Sequence, residues 1–185
     1  MKKILFPILI LLCLTSCAQQ TADRTASQKP TWKNQLQEKL PLLGHRNWIL
    51  IVDQAFPEQS NPAMQYINTN EKLADVLNYT LETLGTASHV KPIIYRDREL
   101  HFIDDKLAPG VDIFKAQLES QLKGRAVNEI LHDSVFVKID KVAKLFSVLV
   151  LKTTETLPYT SVFIELDCAY WGPEKEAELR AIMHK

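Results

Sequence analysis

The stretch Gly44-His45-Arg46-Asn47-Trp48-Ile49-Leu50-Ile51-Val52-Asp53-Gln54-Ala55-Phe56-Pro57 decides how the rest of the chain is read. Trp48 to Val52 is an unbroken apolar run. A strand that is apolar at every position has both faces covered, as at the centre of a sheet with helices above and below. The run has a chemical residue at each end, with His45 before it and Asp53 closing it. A carboxylate directly after a central strand stands at the strand's C-terminal edge, where open α/β sheets gather their ligands. The plainer alternative is that Asp53 caps a turn ahead of Pro57.

Upstream, Thr31 is placed to cap a helix with Trp32, Leu36, Leu40 and Leu43 on one face. Pro41 is expected to kink it, and Gly44 suits the left-handed position after its last turn. Downstream, residues 56–70 hold Pro57, Pro62 and several Asn, and read as a long loop of the kind that often carries function. Asn68 and Glu71 form a capping pair for a helix bearing Leu73, Val76, Leu77, Leu81 and Leu84, which Gly85 ends. Pro92 leads into a short strand over 93–95, and residues 96–109 are charged and irregular. Val111, Phe114, Leu118 and Leu122 make an amphipathic helix stopped by Gly124. A strand over 127–131, a helix over 134–144 capped by Asp133, and strands over 146–152 and 160–166 follow. A last helix opens with Pro173 in its first turn. Helices and strands alternate throughout, which predicts an α/β domain built as a three-layer αβα sandwich, one sheet covered by helices on both faces.

The 185 residues are 46% hydrophobic and 24% charged, which fits a single domain over 31–185 behind an N-terminal extension. Residues 1–17 have the form of a targeting segment. Lys2 and Lys3 precede an apolar stretch over 4–14 that is too short to span a bilayer. Leu14-Thr15-Ser16-Cys17 resembles the lipobox of bacterial lipoproteins, which implies that Cys17 becomes the first residue and carries the lipid. The membrane would then be met through that lipid alone, in the bacterial cell envelope, on the periplasmic face or at the outer membrane. The alternative is an ordinary secretory signal in which Cys17 is incidental. Residues 18–30 are polar and read as a flexible tether.

Removing Lys2 and Lys3 with the leader leaves 20 basic residues against 22 acidic, which excludes an electrostatic grip on nucleic acid. Of the three cysteines, Cys13 leaves with the leader and Cys17 is lipidated. Cys168 then has no partner for a disulfide and reads as a small buried hydrophobe. With five glycines the chain has neither GxGxxG nor a Walker loop, and it lacks CxxC, HExxH and GxSxG, so no cofactor and no metal are expected. His101, Asp104 and Asp105 fall in a charged loop and read as solvated, while His89 and His184 carry no pattern.

Leu43-Gly44-His45 followed by an apolar strand into Asp53-Gln54-Ala55-Phe56-Pro57 resembles the RbsD/FucU family of D-ribose pyranases and L-fucose mutarotases. The first strand of that family runs from a Gly-His pair to an Asp-Ala-x-x-Pro-like turn. A second block is similar to the family's Thr/Ser-Gly-Glu turn and Tyr-x-Asn signature: apolar residues over 146–151, then Thr153-Thr154-Glu155, then Tyr159-Thr160-Ser161 before a final strand. The resemblance extends over residues 33–166. It implies cofactor-free interconversion of the cyclic forms of a monosaccharide such as L-fucose or D-ribose. Opening a hemiacetal needs a proton delivered to the ring oxygen and another withdrawn from the anomeric hydroxyl.

By this resemblance His45 takes the position of the catalytic histidine, Asp53 that of the sugar-binding aspartate, and Tyr159 that of the signature tyrosine. Ser161 stands where the family has Asn, and His132 is the candidate for a substrate-binding His or Arg ahead of the penultimate helix. If 47–53 is extended, its ends lie about 20 Å apart, too far for one small sugar to touch His45 and Asp53 together. Members of the family assemble as rings with sites between subunits, so a ring-shaped homo-oligomer in which a second copy completes the site is expected. Two alternatives stay open. One is a non-catalytic lipoprotein that keeps the fold for sugar binding or assembly. The other is a purely structural envelope lipoprotein.

Overall fold

A computed structural model describes residues 30–184; the leader, Cys17 and the tether before residue 30 lie outside the described residues. Helix α1 (Trp32–Lys39) starts at Thr31, whose side-chain oxygen accepts a hydrogen bond from the Asn34 amide at 3.2 Å. The expected kink at Pro41 is instead an ending. Proline has no N–H to continue the α ladder, and the chain tightens into a 3-10 turn at Leu40–Leu42. The left-handed residue before the first strand is Arg46, at φ 74°, and not Gly44.

Strand β1 (Trp48–Val52) is buried at all five positions, as its apolar run requires. Strand β2 (Met64–Asn68) follows inside the segment read as a loop. Helix α2 (Leu73–Gly85) starts without a side-chain cap. Asn68 and Glu71 do not form the expected capping pair: the Asn68 side chain accepts from the Asn70 amide, and the Thr69 hydroxyl accepts from the Glu71 amide. Strand β3 (Val90–Asp97) is longer than 93–95 and takes in charged residues read as irregular. After a 3-10 turn at Arg98–Phe102 come helix α3 (Val111–Leu122), strand β4 (Val127–Ile130), helix α4 (His132–Val142), strand β5 (Val148–Lys152), strand β6 (Val162–Cys168) and helix α5 (Pro173–Met183). Gly124, at φ 78°, supplies the left-handed turn that releases the chain from α3.

The strands form one sheet in the order β2-β5-β1-β6-β3-β4. All pairings are parallel except the two made by β6, which runs against both of its neighbours, β1 and β3. Alternate residues of the central strands feed two cores. Ile49, Ile51, Leu149, Leu151, Ile164 and Leu166 pack against α1, α2 and α3 on one face. Trp48, Leu50, Val52, Val148, Val150 and Phe163 pack against Val135 and Ile139 of α4 on the other. The expected αβα layering is the observed one. Helix α5 adds no buried residue to either core.

The reversed strand sets up the site. Val162, at the start of β6, pairs with Ile51 near the end of β1 and with Arg96 near the end of β3. The segment before β6 is therefore delivered to the edge where β1 and β3 finish. There Asp53 and Asp97 stand on either side of the Tyr159-Thr160-Ser161 segment. Strand β4 ends beside Asp97, through the pair Asp97 and Ile130, and turns directly into α4 at His132.

Candidate functional site

Two loops and the start of α4 meet at this edge around a cavity of about 580 Å³ lined by Asp53 to Pro57, His132, Phe136 and Thr156 to Tyr159. That volume lies within the usual range for small-molecule sites. The Asp53 carboxylate is fixed on two sides: Oδ1 accepts the Ala55 amide at 2.8 Å, and Oδ2 accepts the Ser161 hydroxyl at 3.0 Å. The Asp53 amide itself donates to Ser161 Oγ at 3.3 Å. On the facing loop, Glu155 accepts the amides of Thr156 and Leu157 through one carboxylate oxygen, which shapes the turn leading to Tyr159. The two loops are tied by the Gln54 amide, which donates to the Glu155 carbonyl at 2.7 Å.

Tyr159 is held at φ 57°, a left-handed conformation that a bulky residue adopts only under constraint from its surroundings, and such strain clusters at functional sites. The posture sets its ring edge-on to the His132 imidazole at 5.2 Å. Phe136, one turn further along α4, closes on the same imidazole at 5.0 Å and stacks on Phe56 at 5.6 Å. The cavity wall is thus aromatic, with polar atoms at a few fixed points.

Behind His132 lies a residue that the sequence reading passed over. Asp97, at the end of β3, has a fully buried side chain, and its Oδ2 is 3.0 Å from His132 Nδ1. Burial pushes the Asp97 carboxyl up to about 6, against the opposing pull of His132; the charges of Glu99 and Asp53 add to the rise. Asp97 Oδ1 has no hydrogen-bond partner among the described residues. Both carboxylate oxygens of Glu99 accept the His132 backbone amide, at 3.0 and 3.1 Å. The start of α4 is therefore capped by Glu99, reaching over from the 3-10 turn, and Asp133 does not supply the expected cap.

Of the residues singled out in the sequence, Asp53, His132 and Tyr159 line one cavity. Ser161 stands behind it, 1% exposed, with its hydroxyl committed to Asp53. His45 is not brought to this cavity. It lies at the other edge of the sheet, before β1, in a second cavity of about 600 Å³ with Asp167, Trp171 and Glu176. There its Nδ1 is 3.0 Å from Asp167, and its Nε2 accepts from Arg46 at 3.1 Å. For Asp97 the sequence carries no such signal, because a strand over 93–95 leaves it in the charged segment 96–109; only the longer β3 puts it at a strand end, as with Asp53.

Among the described residues no three His, Cys, Asp or Glu side chains are grouped to hold a metal ion. Asp104 and Asp105 instead accept backbone amides within their own loop. No described helix is long and apolar enough to cross a membrane. Cys168 is partly exposed, short of the burial expected of it.

No protein-family model and no curated protein matches the sequence. Solved structures do match the fold. RbsD of Bacillus subtilis complexed with D-ribose aligns with a TM-score of 0.52 at 17% identity, covering 75% of this chain and 95% of that one. FucU from Bifidobacterium longum aligns at 0.49 and 12% identity, covering 71% and 91%. The fucose mutarotase of Streptococcus pneumoniae in complex with L-fucose aligns at 0.48 and 15% identity, covering 71% and 89%. At these identities the likeness concerns architecture, and the B. subtilis protein carries it: this chain shares the fold of RbsD.

Proposed function

We propose that the protein is a monosaccharide isomerase of the mutarotase or pyranase kind, which opens and closes the ring of a sugar such as L-fucose or D-ribose without a cofactor. One observation carries this reading. Asp53, His132 and Tyr159, distant in sequence, line a single aromatic-walled cavity at the strand edge where α/β sheets bind ligands. A pinned carboxylate accepts hydrogen bonds from sugar hydroxyls, and an exposed tyrosine ring offers a face for the C–H side of a pyranose. Ser161 serves through Asp53, which it holds in place.

His45 enters this reading as a proton-transferring group contributed by a second copy of the chain, because its own chain leaves it at the opposite edge of the sheet. A ring of copies gives each cavity one such histidine. Cys17, with its lipobox, places the assembly on the bacterial envelope by its lipid anchor. Magnetisation-exchange NMR on L-fucose and D-ribose tests the activity. Full-length protein should accelerate exchange between anomers or ring forms, and Asp53→Asn should abolish the acceleration.

One observation favours a second reading, in which the same fold binds sugar without catalysis. Ser161 is buried and engaged with Asp53, so the amide offered by the family's Tyr-x-Asn signature has no replacement facing the cavity. Saturable sugar binding with no acceleration of exchange would select this reading.

A further inference from the structure

We infer that Asp97 is a positioning residue that turns His132 into a second proton-transferring group, so that the cavity's own chain supplies half of the acid-base chemistry. This rests on the isomerase reading and assigns within it a role to a carboxylate that does not line the cavity.

The geometry fixes His132 at every point except one. Its backbone amide is held by Glu99, its ring lies between the edges formed with Phe136 and Tyr159, and its Nδ1 faces Asp97 Oδ2 at 3.0 Å. Nε2 is left as the nitrogen available to a ligand, on a side chain that is 32% exposed and lines the cavity. A carboxylate on Nδ1 selects the tautomer with hydrogen on Nδ1 and a lone pair on Nε2, and it stabilises the imidazolium that forms when Nε2 takes a proton. Asp97 is suited to this role because it is buried. Its charge is poorly compensated while His132 is neutral, and burial already lifts its carboxyl to about 6. Protonation of His132 pairs the two charges in a dry environment, where the attraction is strongest.

In the resulting step the anomeric hydroxyl gives its proton to His132 Nε2 as the bond from the anomeric carbon to the ring oxygen breaks. The ring oxygen takes a proton from Nε2 of the second copy's protonated His45, a state in which that nitrogen no longer accepts from Arg46. The product is the open-chain aldehyde, with His132 charged and His45 neutral. Closure onto either face of the carbonyl returns both protons, leaving His132 neutral and His45 again an imidazolium. No oxidant, reductant or co-reactant is consumed. The alternative role for Asp97 is purely architectural, holding the first turn of α4 to the end of β3.

Two measurements on the full-length protein separate these roles. The first is the ¹⁵N chemical shifts of the His132 ring, which report the tautomer directly. The inference requires hydrogen on Nδ1 in the wild type and loss of that preference in Asp97→Asn, an isosteric change that keeps the buried volume. The second is exchange kinetics. Asp97→Asn should lower kcat at least 100-fold with KM changed less than threefold, since Asp97 does not touch the sugar. A mixed tautomer in the wild type, or an Asp97→Asn variant with wild-type kcat, would overturn the inference. If the variant fails to fold, the wild-type tautomer still decides it. If the wild type gives no exchange at all, the isomerase reading fails and the catalytic role of Asp97 fails with it; the tautomer then shows independently whether the pairing exists.

Discussion

The Ser161 hydroxyl donates to Asp53 Oδ2 at 3.0 Å while accepting the Asp53 amide at 3.3 Å, so one buried side chain fixes both the backbone and the carboxylate of residue 53. The pairing spans two chain segments, the end of β1 and the approach to β6, which only the antiparallel placement of β6 brings together. Ser161→Ala removes a hydrogen bond to a charged group and should cost about 2 kcal/mol of stability, measured by urea denaturation. With one of the two hydrogen bonds to its carboxylate gone, Asp53 should also bind sugar several-fold more weakly in a titration. Unchanged stability and unchanged affinity would contradict the support role given to Ser161.

The Asp97 carboxyl makes a further prediction that is independent of any activity. Its folded value of about 6 lies above the ordinary 3.8, so the folded protein takes up a proton over that window. The stability this contributes is complete below about pH 4 and lost as the pH rises through about 6; two units correspond to about 3 kcal/mol. Asp97→Asn lacks the group. Denaturation of both proteins across this range should show the stability difference moving by about 2 to 3 kcal/mol in favour of the variant as pH rises from about 4 to about 7. A difference that stays constant with pH would show that the carboxyl is not raised.

Tyr159 separates strain from binding. At φ 57° it holds a conformation that glycine adopts freely, so Tyr159→Gly relieves about 1 kcal/mol of backbone strain while discarding the ring contact with His132. The opposing effects should leave the melting temperature within a few degrees of wild type, with sugar affinity falling at least tenfold. Tyr159→Phe should retain most of the affinity if stacking dominates. Loss of equal size in both variants would assign the binding to the hydroxyl.

How far the sequence could be read follows from which features are local. Strand β1 was legible to the residue because an all-apolar run has one stable environment, the middle of a covered sheet. The helices over 73–85 and 111–122 were legible from their apolar spacing and terminal glycines. Strand β2 was hidden: its residues alternate poorly, it lies at the sheet edge, and Pro62 and the surrounding Asn residues gave stronger loop signals. The charged end of β3 looked like a solvated loop because nothing local shows that Asp97 is enclosed by α4 and by the segment entering β6. The grouping of Asp53, His132 and Tyr159 came from a resemblance, and its geometric cause, the reversed β6 between β1 and β3, is a property of long-range pairing. For His45, the chain itself shows the separation that an extended strand demanded, since that residue and Asp53 line different cavities.

Ring exchange in a cavity completed by His45 of a second copy is tested most directly by complementation. Full-length His45→Ala and Asp53→Asn should each be inactive alone in magnetisation exchange on L-fucose or D-ribose. When the two are co-expressed, random assembly pairs an intact Asp53 with an intact neighbouring His45 at about a quarter of the sites, and exchange should return to about that fraction of wild type. Co-expressed variants as inactive as their parents, beside an active wild type, would contradict the shared site.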